Sequence, residues 1–187
     1  VELIDELLDD AKGRMTKSVE SSRGELATVR TGRASPHLLD RIAVDYYGNP
    51  TPLKQLANIA TTDARLLTVT PFDKGALGGI EKAISESDVG LTPSNDGNVI
   101  RLAIPELTEE RRKEMVKIVH GVAEEGRVAI RNVRRDIMHD LRELKKDGEA
   151  GEDDERRAEA SLQKQTDEAI AEIDSLLKGK EEEILEV

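Results

Sequence analysis

Apolar residues recur at steps of three and four through residues 3–29, at Ile4, Leu8, Ala11, Met15, Val19, Leu26 and Val29, with Ser22 filling the slot between. That period lays one face of a helix on a core and leaves charged residues on the other, so a long amphipathic helix is predicted. Gly13 and Gly24 fall inside it, each costing about 1 kcal/mol relative to Ala, so packing must hold this helix where propensity would not. Gly32, Ser35 and Pro36 then break the period. Ile42, Val44 and Tyr46 alternate with Ala43, Asp45 and Tyr47 as in a strand, followed by a turn at Gly48, Asn49 and Pro50. Residues 66–70 form a second β-prone run stopped by Pro71. Leu77, Ile80, Ala83 and Ile84 predict a helix over 74–87, with Asp73 as its N-cap and Gly90 beyond its end. A turn at Ser94, Asn95, Asp96 and Gly97 leads into a strand over 99–104 that ends at Pro105.

The helical period returns at Thr108 and lasts far longer, through Met115, Val119, Val122, Gly126, Ile130, Val133, Ile137, Leu141 and Leu144. A helix over 106–146 would be roughly 60 Å long. Glu152, Asp153 and Asp154 suit the start of another helix, whose seam is Leu162, Thr166, Ala169, Ile173, Leu176, a slot at Lys180, and Ile184. Three long seams imply a three-helix bundle. One bundle helix comes first, mixed elements interrupt, and two bundle helices follow. The expected fold is therefore α+β: an elongated bundle of residues 1–30 plus 106–187, with a small β/α/β domain of residues 31–105 inserted. Two strands of chain join the parts, and such a joint bends, so Thr31, Gly32, Ile104, Pro105 and Glu106 are the expected hinge of an L- or V-shaped molecule.

Composition narrows the chemistry. The 187 residues include no Cys, which excludes disulfides, thiolate zinc sites and a Cys nucleophile. Apolar runs fall well below the roughly 20 residues a bilayer span needs, and the first ten residues carry five acids where a secretion signal is basic, so a cytoplasmic protein with no membrane partner is expected. Aromatic residues make up 2% of the chain, too few for base stacking to be its main hold on RNA. A net charge of −11 repels polyanions overall, so any contact with RNA needs a local patch.

Such a patch is visible within the second long helix, where residues 126–135 hold four arginines and no acid. At 100° per residue, Arg127, Arg131, Arg134 and Arg135 fall within about 100° of arc, while Ile130, Val133 and Ile137 centre roughly 130° away. Guanidinium forks suit bidentate phosphate contacts. The ordinary alternative is a solvated face whose arginines pair with Glu124, Asp136 or acids of neighbouring helices. Arg30 and Arg33 flank Gly32 where the first helix ends, which is by itself a common capping arrangement. If the bundle brings that end beside the stripe, the two clusters merge.

Catalytic chemistry has little support. His37, His120 and His139 have no metal-ligand spacing, Lys74 to Ile80 is glycine-rich without the Lys-Ser/Thr pair of a nucleotide-binding loop, and the acids at 152–155 are better read as helix capping. No metal, cofactor or enzymatic activity is expected. Tyr46 and Tyr47 point to opposite faces of one strand, one packed and one free to meet a partner. The residues alone leave a second function open, a coiled-coil adaptor whose seams pair with partner helices.

The stretches VRTGRASP at 29–36, DYYG at 45–48, PTPL at 50–53, LTEERRK at 107–113, VAIRNVRRD at 128–136 and DGEAGEDDERR at 147–157 closely resemble the bacterial ribosome recycling factor family, in the family's order and over nearly the whole chain. The resemblance implies a three-helix bundle with a hinged β/α/β insertion. It also implies binding to the post-termination ribosome and, with elongation factor G and GTP hydrolysis by that factor, separation of the subunits. Carried over by motif, Arg131, Arg134 and Arg135, with Arg30 and Arg33, are the expected contacts to large-subunit ribosomal RNA near the subunit interface; Arg127 joins them on helical geometry alone. The inserted domain and hinge would face elongation factor G, and the protein would act as a monomer and as a lever. The initial Val, where a start Met would stand, is expected to mark a processed or trimmed end.

Overall fold

The computed structural model describes residues 2–186; Val1, the expected processed end, lies outside them. The packing of the chain divides it into two units, one of residues 1–26 and 116–187 and one of residues 27–115.

The first unit is helical. It contains α1 (Glu2–Ala27), most of α4 (Glu109–Lys146) and α5 (Glu152–Leu185). The expected seams supply its core: Ile4, Ala11, Met15, Val19 and Leu26 from α1, Val119, Ile130, Ile137 and Leu141 from α4, and Leu162, Ala169, Ile173 and Ile184 from α5 are all buried. Each such aliphatic side chain removed from water contributes about 2 kcal/mol. Cross-helix pairs fix the directions. Arg14 of α1 meets Asp136 of α4 at 3.0 Å while Ser22, further along α1, faces Gly126, so these two helices are antiparallel. Arg127–Asp174 and Lys145–Glu155 run α4 against α5 in the same antiparallel sense.

Gly126 has a packing reason. A Cβ built there would overlap the Ser22 hydroxyl and stand 2.8 Å from Cδ1 of Ile173, so the three helices close up on a position that only hydrogen fits. The expected seam of α5 shifts at one place: Leu177 is buried and Leu176 only half-buried. A step of four from Ile173, rather than three, carries the stripe to Leu177.

The second unit is mixed. A hairpin of β1 (Ala43–Tyr46) and β2 (Asn49–Pro52) leads through a single turn, α2 (Leu53–Leu56), into β3 (Ala57–Asp63) and β4 (Leu66–Pro71). Then come α3 (Leu77–Glu86), β5 (Pro93–Asn95) and β6 (Ile100–Ala103). The four later strands form one antiparallel sheet in the order β3-β4-β6-β5. Its inward positions, Leu67, Val69, Ile100 and Leu102, meet Ile80 and Ile84 of α3 and Leu39, Val44 and Leu53 in one aliphatic core. Asp73 accepts the Gly75 amide at 2.9 Å and so caps the turn that opens α3, as its position predicts.

Candidate nucleic-acid interface

On α4 the four arginines divide by what they touch. Arg127 is held: its guanidinium meets Asp174 of α5 at 2.7 Å and Glu124 at 3.1 Å, and its side chain is only 19% exposed. The hydrogen bond to Asp174 holds its pKa above the usual arginine value, against the opposing effect of burial. Arg134 donates from Nε to the Gln163 side-chain oxygen at 2.8 Å, and Gln163 in turn donates to Asp167 at 2.8 Å. That chain orients the Arg134 fork by one nitrogen and leaves both terminal nitrogens without a partner among the described residues. Arg131 is 54% exposed with a single loose contact, to Glu124 at 3.4 Å. Arg135 is exposed and has no hydrogen-bond or ion-pair partner among the described residues.

The ordinary alternative of a self-neutralised face thus describes Arg127 well and Arg135 not at all. Asp136, the acid nearest in sequence, turns to Arg14 of α1 instead. Sequence reasoning missed Arg142. Exposed and without a partner among the described residues, it falls about 20° from Arg135 on the helical wheel and about 10 Å further along α4. Continuing the same period past Asp136 would have found it.

Arg30 and Arg33 belong to the second unit. Arg33 is exposed. Arg30 is half-buried; burial, and then the nearby Arg111, lowers its pKa from the usual arginine value. A desolvated guanidinium beside a second cation is an arrangement that an anion relieves. Gly90 (φ +68°) makes room for it, since a Cβ there would lie 3.3 Å from a terminal nitrogen of Arg30.

The expected hinge residues are held unequally. Thr31 and Gly32 form an irregular link, with Gly32 at φ +81° against Leu107. Ile104 is 3% exposed, sits in the core of the second unit, and donates its amide to the Arg65 carbonyl at 2.8 Å. Glu106 pairs with the Arg65 side chain. His37 lies 3.0 Å from Asp40, and His120 lies 2.5 Å from Glu181. No group of three or more His, Asp or Glu among the described residues is placed to hold a metal ion. Among the described residues no helix is long and apolar enough to cross a membrane.

The family model described as "Ribosome recycling factor" matches residues 22–185. The chain belongs to the ribosome recycling factor family. A relative named ribosome-recycling factor from Rubrobacter xylanophilus is 57% identical, the match covering 96% of this chain and 97% of the relative. The Bacillus subtilis ribosome-recycling factor is 55% identical, with 97% and 98% covered. A solution structure of the ribosome recycling factor superposes over 100% of both chains with a TM-score of 0.82 at 41% identity. A second match, at TM-score 0.71 and 49% identity over 97% of this chain and 98% of the other, is the Thermus thermophilus (T. thermophilus) factor. It is described with E. coli elongation factor G on the E. coli post-termination complex. The α+β architecture and the family resemblance expected from the sequence are both borne out.

Proposed function

We propose that this chain recycles ribosomes: it binds the post-termination ribosome and, with elongation factor G and GTP hydrolysis by that factor, promotes dissociation into subunits. As a member of this family it is a translation factor, not an enzyme. The observation that carries the reading is the outward row on α4, where Arg131, Arg135 and the free end of Arg134 stand uncompensated on a strongly acidic unit. We place Arg30, Arg33, Arg131, Arg134 and Arg135 against large-subunit ribosomal RNA near the subunit interface, with phosphate as the common target. Arg127 contributes least there, because Asp174 and Glu124 already satisfy it.

The working parts are a bundle of residues 1–30 plus 106–187 and an inserted domain of residues 31–105. Bending falls on Thr31, Gly32 and Pro105, flanked by Ile104 and Glu106, which the second unit ties down. Elongation factor G pushes on the inserted domain, and the long helices deliver the displacement as a lever. The protein acts as a cytoplasmic monomer and needs no cofactor. Sedimentation with purified ribosomes, followed by a subunit-splitting assay with and without elongation factor G and GTP, tests the reading. Co-sedimentation and splitting that requires both factors are expected. Self-association without ribosome binding would point instead to the coiled-coil adaptor.

A further inference from the structure

The chain has three aromatic residues, Tyr46, Tyr47 and Phe72, and none of them lies among the buried side chains of either core. They gather at one place in the second unit. Tyr46 donates its hydroxyl to Asp73 at 2.9 Å, Tyr47 packs edge-on against Tyr46 with ring centroids 4.6 Å apart, and Phe72 immediately precedes Asp73. Tyr47 is 81% exposed and Phe72 71%. Among the described residues these are the two most exposed large hydrophobic side chains.

The backbone at Tyr47 is as telling as its exposure. Tyr46 pairs with Asn49 across the hairpin, so Tyr47 and Gly48 alone form the turn, and both have positive φ, +50° and +82°. A two-residue turn of that kind favours Asn-Gly or Asp-Gly; a tyrosine in the left-handed region is the locally wrong residue. A rule of local structure broken at the tip of a hairpin, with the ring 81% exposed, gives the folded chain only the edge-on contact with Tyr46 in return. Such breaches mark sites kept for contact with something else.

We propose that Tyr46, Tyr47 and Phe72 form a docking point for a protein surface that presents arginine or lysine side chains. The inference rests on the reading above, because the partner belongs to the assembly formed on the ribosome. Tyrosine rings are rigid anchors that stack on guanidinium groups, and they are enriched where few residues carry most of an interface's affinity. Two acids adjoin these residues, Asp45 preceding Tyr46 in the chain and Asp73 accepting the Tyr46 hydroxyl, and they complement a cation. RNA fits poorly: aromatic platforms for bases lie in cationic grooves, whereas residues 27–115 carry 11 bases against 12 acids and the carboxylates stand at the rings.

Tyr47→Asn with Phe72→Ser removes both exposed rings while giving the turn its preferred Asn-Gly pair, so the doubly substituted chain should melt no lower than the parent. The expected result is a fall of about tenfold or more in the rate of subunit splitting with elongation factor G and GTP. In parallel, a benzophenone amino acid at position 47 of the full chain, photolysed in the complete complex, should cross-link to a protein. Splitting at the parental rate, or a cross-link to RNA or to nothing, overturns the proposal. Failure of the unsubstituted chain to sediment with ribosomes would instead overturn the proposed function, and this inference with it.

Discussion

The helical unit carries 17 of the 28 bases and 27 of the 39 acids, a net charge of −10, whereas the mixed unit carries 11 and 12 and is nearly neutral. In the helical unit four cations are tied to acids on another helix, in Arg14–Asp136, Arg23–Glu172, Arg127–Asp174 and Lys145–Glu155. Among the arginines of this unit, those left largely uncompensated are aligned on α4: Arg131, Arg135, Arg142 and one end of Arg134. In the mixed unit most charge pairs are local, as between Arg101 and Asp96 at 2.8 Å, and the most exposed large apolar groups are rings. Net charge therefore says little about which surface meets a polyanion. The acidic unit holds the row proposed to bind phosphate, because most acids near it are engaged elsewhere, as Asp136 is with Arg14.

The largest effect expected from this contrast lies on α4. Arg131→Ala with Arg135→Ala should weaken ribosome binding by about 100-fold and reduce the salt dependence by about two in slope, one per lost phosphate contact, with the thermal melt unchanged. Arg127→Ala should do the opposite. Its binding and salt slope stay close to the parent's, and the helical unit loses about 1 kcal/mol or less of stability with the ion pair. Equal losses of affinity from both variants, measured across a salt titration, would erase the distinction between tied and free arginines.

A second test stays within the helical unit and compares two glycines. Gly126→Val forces a branched side chain into Ser22 and Ile173 and should destabilise the bundle by about 2 kcal/mol. Gly24 also lies in a helix but meets nothing within 4 Å, so Gly24→Ala should stabilise by up to about 1 kcal/mol. Helical circular dichroism during thermal unfolding reads both. Destabilisation by Gly24→Ala would mean that α1 needs a kink there.

The same contrast explains how much of each unit its amino-acid pattern discloses. The helical unit is legible because a period of 3.6 sustained over more than 25 residues leaves little choice: Met15, Val19, Ile130 and Ile137 are buried as expected, and where a seam slips, from Val122 to Ala123 and from Leu176 to Leu177, it does so by a single residue. The mixed unit was legible in part. Val44, Leu67, Val69, Ile100 and Leu102 alternate and read as strand, but β3 has Ala57 as its one fully buried residue and ends in Thr-Thr-Asp, so its pattern is that of a loop. β5 opens on Pro93, and its Ser94 and Asn95 fall in the expected turn; as an edge strand it needs neither an apolar run nor every amide. At the candidate site the stripe of arginines was visible from spacing alone. Which of them were already occupied was not, since Asp174 and Gln163 lie on another helix, 47 and 29 residues away.

The smallest effect concerns the mixed unit and asks whether its rings are anchored. With no Trp in the chain, phenolate absorbance near 295 nm reports Tyr46 and Tyr47 alone. The hydrogen bond that Tyr46 donates to Asp73, then partial desolvation and the carboxylate charge, raise its pKa above the ordinary 10. The folded state therefore binds this proton more tightly than the unfolded one. The resulting stability is fully present below the unfolded value near 10 and is lost as pH rises through the folded value. Spectroscopic titration should show a step above the ordinary tyrosine range that disappears in Tyr46→Phe and moves down in Asp73→Ala. The urea midpoint of the parent should fall more steeply above pH 10 than that of Tyr46→Phe. A phenolate titrating at its ordinary value would leave Tyr46 untethered and Tyr47 without a fixed ring to pack against. The contrast of a bundle that presents charge and a mixed unit that presents pre-positioned rings would then lose its second half.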